Sequence, residues 1–209
     1  MTKAMVINMS FYTGARKVLG GFLRKCFYRC TIIGADKIPK EGGVLICSNH
    51  ISMHDVVILA AASDRQIRFM AKKELFNVPL VSSLVKALGA FPVDRKNGDV
   101  GAIKHTVNIV KNGDVAGIFP QGTRHKKVHP KGTPIKNGAG LIVSRAKCTV
   151  VPASICTKGF KILPFFKKVR LEFGEPIPYE AFAELENDKD KFEKISEIIF
   201  EKIVDMTPQ

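Results

Sequence analysis

A histidine and an aspartate five positions apart stand inside Ser48-Asn49-His50-Ile51-Ser52-Met53-His54-Asp55. Histidine is the side chain whose ordinary pKa suits proton transfer near neutrality. A carboxylate that accepts from one imidazole nitrogen fixes the tautomer and leaves the other nitrogen free to act as a base. On an unbroken helix, positions i and i+5 do not face each other, so pairing His50 with Asp55 requires the chain to bend between them. The flanks supply that bend. Gly43-Val44-Leu45-Ile46-Cys47 reads as a buried strand and Val56 to Ala62 as a helix, which makes the octapeptide a strand-to-helix turn with Asp55 at the helix start. Two other readings of the same residues stay open. Ser48, Asn49 or Ser52 could cap the helix, with Asp55 favouring its N-terminus and His50 an ordinary loop residue. Alternatively, His50, His54 and Asp55 could ligate a metal, since His at i and i+4 share a helix face. No second ligand cluster accompanies them in the chain.

The second stretch with chemical content is Pro120-Gln121-Gly122-Thr123-Arg124, which follows the strand-like run Val115 to Phe119. A glycine lets a ligand approach the backbone, a hydroxyl donates a hydrogen bond, and an arginine offers a fork suited to phosphate. The same residues are also those of an ordinary β-turn with a solvated arginine. The continuation, His125 to Gly132, is strongly basic, and its two histidines read as loop residues because the surrounding lysines disfavour a bound cation.

The elements that must position these residues alternate along the chain. Ile67 to Ala71 reads as a strand, Leu80 to Leu88 as a short helix closed by Gly89, and Ala90 to Val93 as a short strand carrying Asp94 and Arg95 off its end. A helix over Asp99 to Lys111, with Ile103, Val107 and Val110 inward, leads into the strand before Pro120. Ala139 to Lys147 reads as a helix with Leu141, Ile142 and Ala146 inward. Thr149 to Ile155 is a buried strand in which Pro152 suggests an edge or a bulge. Lys168 to Phe173 alternates as a half-exposed strand, and a helical region from Tyr179 packs Phe192, Ile195, Ile198, Ile199 and Ile203 on the body. This pattern predicts an α/β domain over residues 34–209, with a largely parallel or mixed central sheet flanked by helices. In such a sheet the C-terminal ends of parallel strands open on one edge. His50, Arg95 and the loop from Pro120 all leave such ends.

Residues 1–33 precede that domain. Val18, Leu19, Phe22, Leu23, Cys26, Phe27 and Cys30 make an apolar stripe at helical spacing, with Arg16, Lys17, Arg24, Lys25 and Arg29 beside it. This reads as a basic amphipathic segment lying in a membrane interface, or as a helix packed on the core with a solvated basic face. Gly20-Gly21 interrupts it, and Tyr28 to Ile33 begins to read as strand. The whole chain carries a net charge of +14, which calls for an anionic partner: nucleic acid, a phospholipid surface or a phosphorylated substrate. The absence of Trp and the presence of only 3 Tyr argue against stacking on nucleic-acid bases. Five cysteines with no C-x-x-C indicate a reducing compartment. No apolar run reaches the roughly 18–20 residues of a membrane span.

Four blocks in order resemble the glycerolipid acyltransferases, most of all the 1-acylglycerol-3-phosphate acyltransferases. They are Asn49-His50-x4-Asp55, Gly89-Ala90-Phe91-Pro92-Val93-Asp94-Arg95, Phe119-Pro120-Gln121-Gly122-Thr123-Arg124 and Val151-Pro152, with Lys72-Lys73-Glu74-Leu75 and Pro79 between the first two. The resemblance implies transfer of a fatty acyl group from an acyl-coenzyme A or acyl-carrier-protein thioester to lysophosphatidic acid, giving phosphatidic acid. It implies His50 as general base with Asp55 orienting it, and Lys72, Arg95 and Arg124 at the acceptor's phosphate. Asn49, Gln121, Gly122 and Thr123 become positioning residues. No metal or organic cofactor is implied, and no nucleic-acid partner. The expected location is the cytoplasmic face of a membrane, held there peripherally. Gln121 departs from the family, which usually carries Glu at that place; Gln keeps hydrogen bonding and loses the charge. Other acceptors (glycerol 3-phosphate or another lysophospholipid) and a non-enzymatic basic membrane module are the alternatives.

Overall fold

The computed structural model describes residues 28–87, 89–93, 100–161 and 167–208. Most of the amphipathic stretch, and Arg95, lie outside the described residues. The strands are β1 (Tyr28–Ile33), β2 (Val44–Ser48), β3 (Ile67–Lys72), β4 (Phe91–Val93), β5 (Val115–Ile118), β6 (Thr149–Thr157) and β7 (Lys167–Phe173). The helices are α1 (Asp55–Ala62), α2 (Pro79–Ala87), α3 (Val100–Lys111), α4 (Gly138–Ala146) and α5 (Lys191–Asp205). One sheet holds all seven strands in the order β1-β7-β6-β2-β5-β3-β4. β2 is parallel to β5 and β6, and β3 is parallel to β5 and β4. β7 turns back antiparallel to β6 and carries β1 in parallel beside it. The sheet is therefore mixed, with a parallel centre, as the alternation predicts.

Burial explains why the central strand lacks a two-residue period. All five residues of β2 are buried, because helices cover both faces of a parallel sheet. Leu45 and Cys47 join the core beneath α3, α4 and α5, with Ile142, Ile195 and Ile199. Val44 and Ile46 point the other way, into a core shared with Ile58 and Leu59 of α1 and Phe69 of β3. Each fully buried Leu or Ile contributes roughly 1.5–3 kcal/mol relative to exposure, so this two-sided packing makes β2 a rigid base for whatever leaves its end.

Cys30, which falls both in the helical stripe and in the strand-like run Tyr28 to Ile33, lies in β1, paired with β7. Of the edge and the bulge that Pro152 suggests, the edge is excluded, because β6 sits between β7 and β2. The proline is accommodated by a bulge, since Ala153 pairs with Phe173 but Val150 pairs with Ile177, three steps on one strand against four on the other. In α4 it is Ala139, Gly140, Ile142 and Val143 that are buried, and Leu141 is only half-buried.

Candidate active site

β2 ends at Ser48, whose pairing with Ala153 is the last in the β2–β6 register. The next residue continues the ladder with its side chain. Asn49 Nδ2 donates to the Ile155 carbonyl at 2.8 Å, and its Oδ1 accepts from Ile155 N–H at 2.7 Å. A side-chain amide thus stands in for one more peptide group. The backbone is free to peel away from the sheet while remaining anchored to it.

His50 occupies the position where the backbone peels away. Its N–H donates to Gln121 Oε1 at 2.6 Å, and its carbonyl accepts from His125 N–H at 2.8 Å. The ring stacks on Phe119, with centroids 3.9 Å apart and planes 14° from parallel. Nδ1 lies 2.8 Å from Asp55 Oδ2. Asp55 is fully buried, and the same oxygen also accepts from Ile51 N–H at 2.7 Å and Ser52 N–H at 2.8 Å. One carboxylate oxygen therefore both folds the turn and holds the imidazole. Because a carboxylate only accepts, Nδ1 carries the proton, and in the neutral ring Nε2 then holds the lone pair. The imidazole side chain is 14% exposed, enough for access to that nitrogen.

The alternative readings of this turn fare as follows. α1 has His54 at its N-cap with no side-chain capping bond, and Ser52 Oγ accepts from His54 N–H at 3.2 Å. Asp55 is the acidic residue of the first turn of α1 and also binds the turn before the helix. The His54 ring meets Ser52 Oγ at 3.1 Å.

The second block meets the first through one residue. Gln121 is 3% exposed. It accepts from His50 and donates through Nε2 to Thr133 Oγ1 at 2.6 Å, and the Thr133 hydroxyl in turn donates to the Pro130 carbonyl at 2.7 Å. An amide suits this place because it accepts on one side and donates on the other. Gly122 has φ +67°, the left-handed region, and a Cβ there would lie 2.9 Å from Lys136 Cδ. Thr123 and Arg124 are exposed, and Lys72 is exposed at the end of β3.

His50 opens onto a pocket of about 310 Å³ whose walls include Phe69, Met70, Ile103 and Phe119. The Phe69 ring reaches it by lying over Gly117, where a Cβ would approach the ring to 2.2 Å. Lys136 lines this pocket; Lys72 and Arg124 do not. Spacing alone did not single out Lys136, nor did it reveal Thr133 or the backbone of His125. Nothing in their immediate neighbours marks them, because their partners lie far away along the chain.

Nearby thiols are not poised for attack. Burial pushes the thiols of Cys47 and Cys156 up, and that of Cys148 up to about 12. The arrangement offers instead a braced imidazole, of the kind that can act as a base, beside a largely apolar pocket. The Acyltransferase family model matches residues 29–156, over half of the 209-residue chain and all of the geometry just given. The chain belongs to the acyltransferase family. A 1-acyl-sn-glycerol-3-phosphate acyltransferase of Bacillus subtilis (strain 168) is 33% identical to this acyltransferase over 177 residues, covering 84% of it and 86% of the relative. A relative of the same name from Streptococcus pneumoniae (strain ATCC BAA-255 / R6) is 33% identical, over 73% of this acyltransferase and 57% of the relative. The crystal structure of the 1-acyl-sn-glycerophosphate (LPA) acyltransferase PlsC from Thermotoga maritima shares the fold. It has a TM-score of 0.69 and 21% identity, covering 98% of this acyltransferase and 83% of that chain.

Proposed function

We propose that this acyltransferase moves a fatty acyl group from an acyl-coenzyme A or acyl-carrier-protein thioester to the sn-2 hydroxyl of 1-acylglycerol 3-phosphate. The products are phosphatidic acid and the free thiol. The observation that carries the reading is the 2.8 Å pair of His50 Nδ1 and Asp55 Oδ2 at the mouth of the pocket. The relatives' names support the choice of acceptor. His50 Nε2 takes the hydroxyl proton as the oxygen attacks the thioester carbonyl. The tetrahedral intermediate collapses, the C–S bond breaks, and the imidazolium returns the proton to the departing sulfur. No covalent acyl-enzyme is required, because the thioester is already activated, and the transfer as drawn needs neither a metal nor an organic cofactor. Arg124, Lys72 and Arg95 supply positive charge around the acceptor.

The same reading has the enzyme work at a phospholipid surface, peripherally and from the cytoplasmic face. Met53, Val78, Val100 and Val128 are large exposed apolar side chains, and all four stand at the C-terminal edge of the parallel strands. Lys72, Lys73, Arg124, Lys126, Lys127 and Lys131 share that edge. Apolar side chains set among cations suit anionic headgroups over acyl chains. No helix among the described residues is long and apolar enough to cross a membrane.

The test is thiol release from a long-chain acyl-coenzyme A or acyl-carrier protein in detergent or anionic vesicles, with and without 1-acylglycerol 3-phosphate. Release that depends on the acceptor is expected. Acceptor-independent release would make the protein a thioesterase, and release only with a different acceptor would move the substrate assignment.

A further inference from the structure

We infer that Lys136 is the cation that takes the acceptor's phosphate in the His50 pocket, whose lining includes neither Arg124 nor Lys72. The inference rests on the acyl-transfer reading above and names the binding residue for that reading's acceptor. Lys136 is the one Lys or Arg among the described residues that line the pocket; besides His50, the remainder are apolar residues and glycines. Two features place it there. Its backbone N–H donates to the Pro120 carbonyl at 2.8 Å, which ties it to the end of β5. Its stem occupies the space a side chain at position 122 would fill, since a Cβ on Gly122 would come to 2.9 Å from Cδ, 3.0 Å from Cε and 3.5 Å from Nζ. Gly122 is therefore the groove along which Lys136 is guided toward the pocket. Among the described residues no carboxylate pairs with it, in contrast to Lys37, which meets Glu175, and Lys147, which meets Glu186.

Substrate geometry asks for a cation at this place. In 1-acylglycerol 3-phosphate the reacting hydroxyl and the phosphate ester are borne by adjacent carbons. A hydroxyl held at His50 therefore brings the phosphate into the same pocket and cannot send it to a distant surface. Gly138 and Ala139, the first residues of α4, line the pocket beside Lys136, and the first turn of that nine-residue helix carries no acidic side chain. Its N-terminal dipole adds to the lysine's field. The apolar walls at Phe69, Met70 and Ile103 are left for an acyl chain.

The experiment uses the full chain carrying Lys136→Gln and Lys136→Arg, with Lys136 exposed at its outer surface so that the thermal transition should not move. Steady-state transfer is followed while acyl-coenzyme A and 1-acylglycerol 3-phosphate are varied separately, and binding of 1-acylglycerol 3-phosphate in detergent is measured directly. Lys136→Gln should raise the KM for 1-acylglycerol 3-phosphate, and its dissociation constant, by roughly 10- to 100-fold, the loss of one charge-assisted contact. The KM for acyl-coenzyme A should stay put, and Lys136→Arg should recover most of the loss. A rise confined to the acyl-coenzyme A KM would overturn the inference, as would a fall in kcat with both KM values intact, or equal acceptor affinity in wild type and variant. Wild-type protein that binds the lysolipid through Lys136 but transfers nothing would count against the acyl-transfer reading and leave the assignment of Lys136 standing.

Discussion

The turn from Ser48 to Asp55 is tied down at nearly every polar atom, whereas the loop that begins at Gly122 turns its charges toward solvent. In the turn, Asn49 is held by Ile155, His50 by Gln121, His125 and Asp55, and Ile51 and Ser52 by Asp55. In the loop, Thr123, Arg124, Lys126, Lys127 and Lys131 are all exposed. Both regions border one pocket. The difference matches two kinds of chemistry. Proton transfer falls off steeply with misplacement, so under the proposed mechanism the base is fixed during folding, before a substrate arrives. Attraction between a cation and a phosphate varies slowly with distance and tolerates looser positioning. Gln121 is the exception within the second block: buried, and bonded to both regions, it couples the braced turn to the charged loop.

This contrast can be broken by substitution, and the largest effect is expected at its braced end. His50→Ala should lower kcat by about 10²–10⁴-fold with the thermal midpoint nearly unchanged, because it removes the proposed base while Ile51 and Ser52 still hold Asp55 in the turn. Loss of folding in this variant would make His50 a structural residue and remove the distinction between the regions. Asn49→Ala comes next. It strands the N–H and carbonyl of Ile155, each buried, and should cost about 2–4 kcal/mol in a urea titration. A cost below 1 kcal/mol would show that the side-chain ladder does not hold the turn. At the charged end, Arg124→Ala should raise the KM for the lysophospholipid only about 3- to 10-fold, with kcat and thermal midpoint unaltered and the difference shrinking as salt is added. An unchanged KM would take Arg124 out of the acceptor's surroundings.

The smallest effect lies in the core beneath the turn. Burial raises the Cys148 thiol from an ordinary 9.0 to about 12, and raises Cys47 as well. The unfolded chain releases these protons first, so the folded state binds more protons in that interval. The associated stability is complete below about pH 9 and declines toward pH 12, by at most about 1.4 kcal/mol per pH unit for each thiol. Urea midpoints measured between pH 7.5 and 10.5 should fall less steeply in Cys148→Ala than in wild type. Identical slopes would assign the alkaline loss to other groups.

Local pattern carried most of the architecture. Apolar runs such as Val44 to Cys47, the helical spacing of Val107 and Val110 and the glycines at chain reversals report on neighbours a few residues away, which is the range over which periodicity has meaning. The order of the first three chemical blocks was legible for the same reason: each adjoins a strand whose own residues announce it. His50 and Asp55, five apart, could be paired on paper because the required bend is a property of the turn between them. What periodicity does not record is which distant groups meet. Asn49, expected as a positioning residue, spends both polar atoms of its side chain on Ile155, 106 residues on. Gln121 meets His50 across 71 residues, and Lys136 reaches the pocket because Gly122 leaves room for its stem. Pro152 suggested an edge or a bulge, and only the strand order decided for the bulge, inside the sheet. The sequence alone determined the elements, their alternation and the pair of residues suited to proton transfer. The tertiary structure decided which side chains brace that pair and which cation shares its pocket, because hydrogen bonds and packing between remote segments exist only once the sheet has assembled.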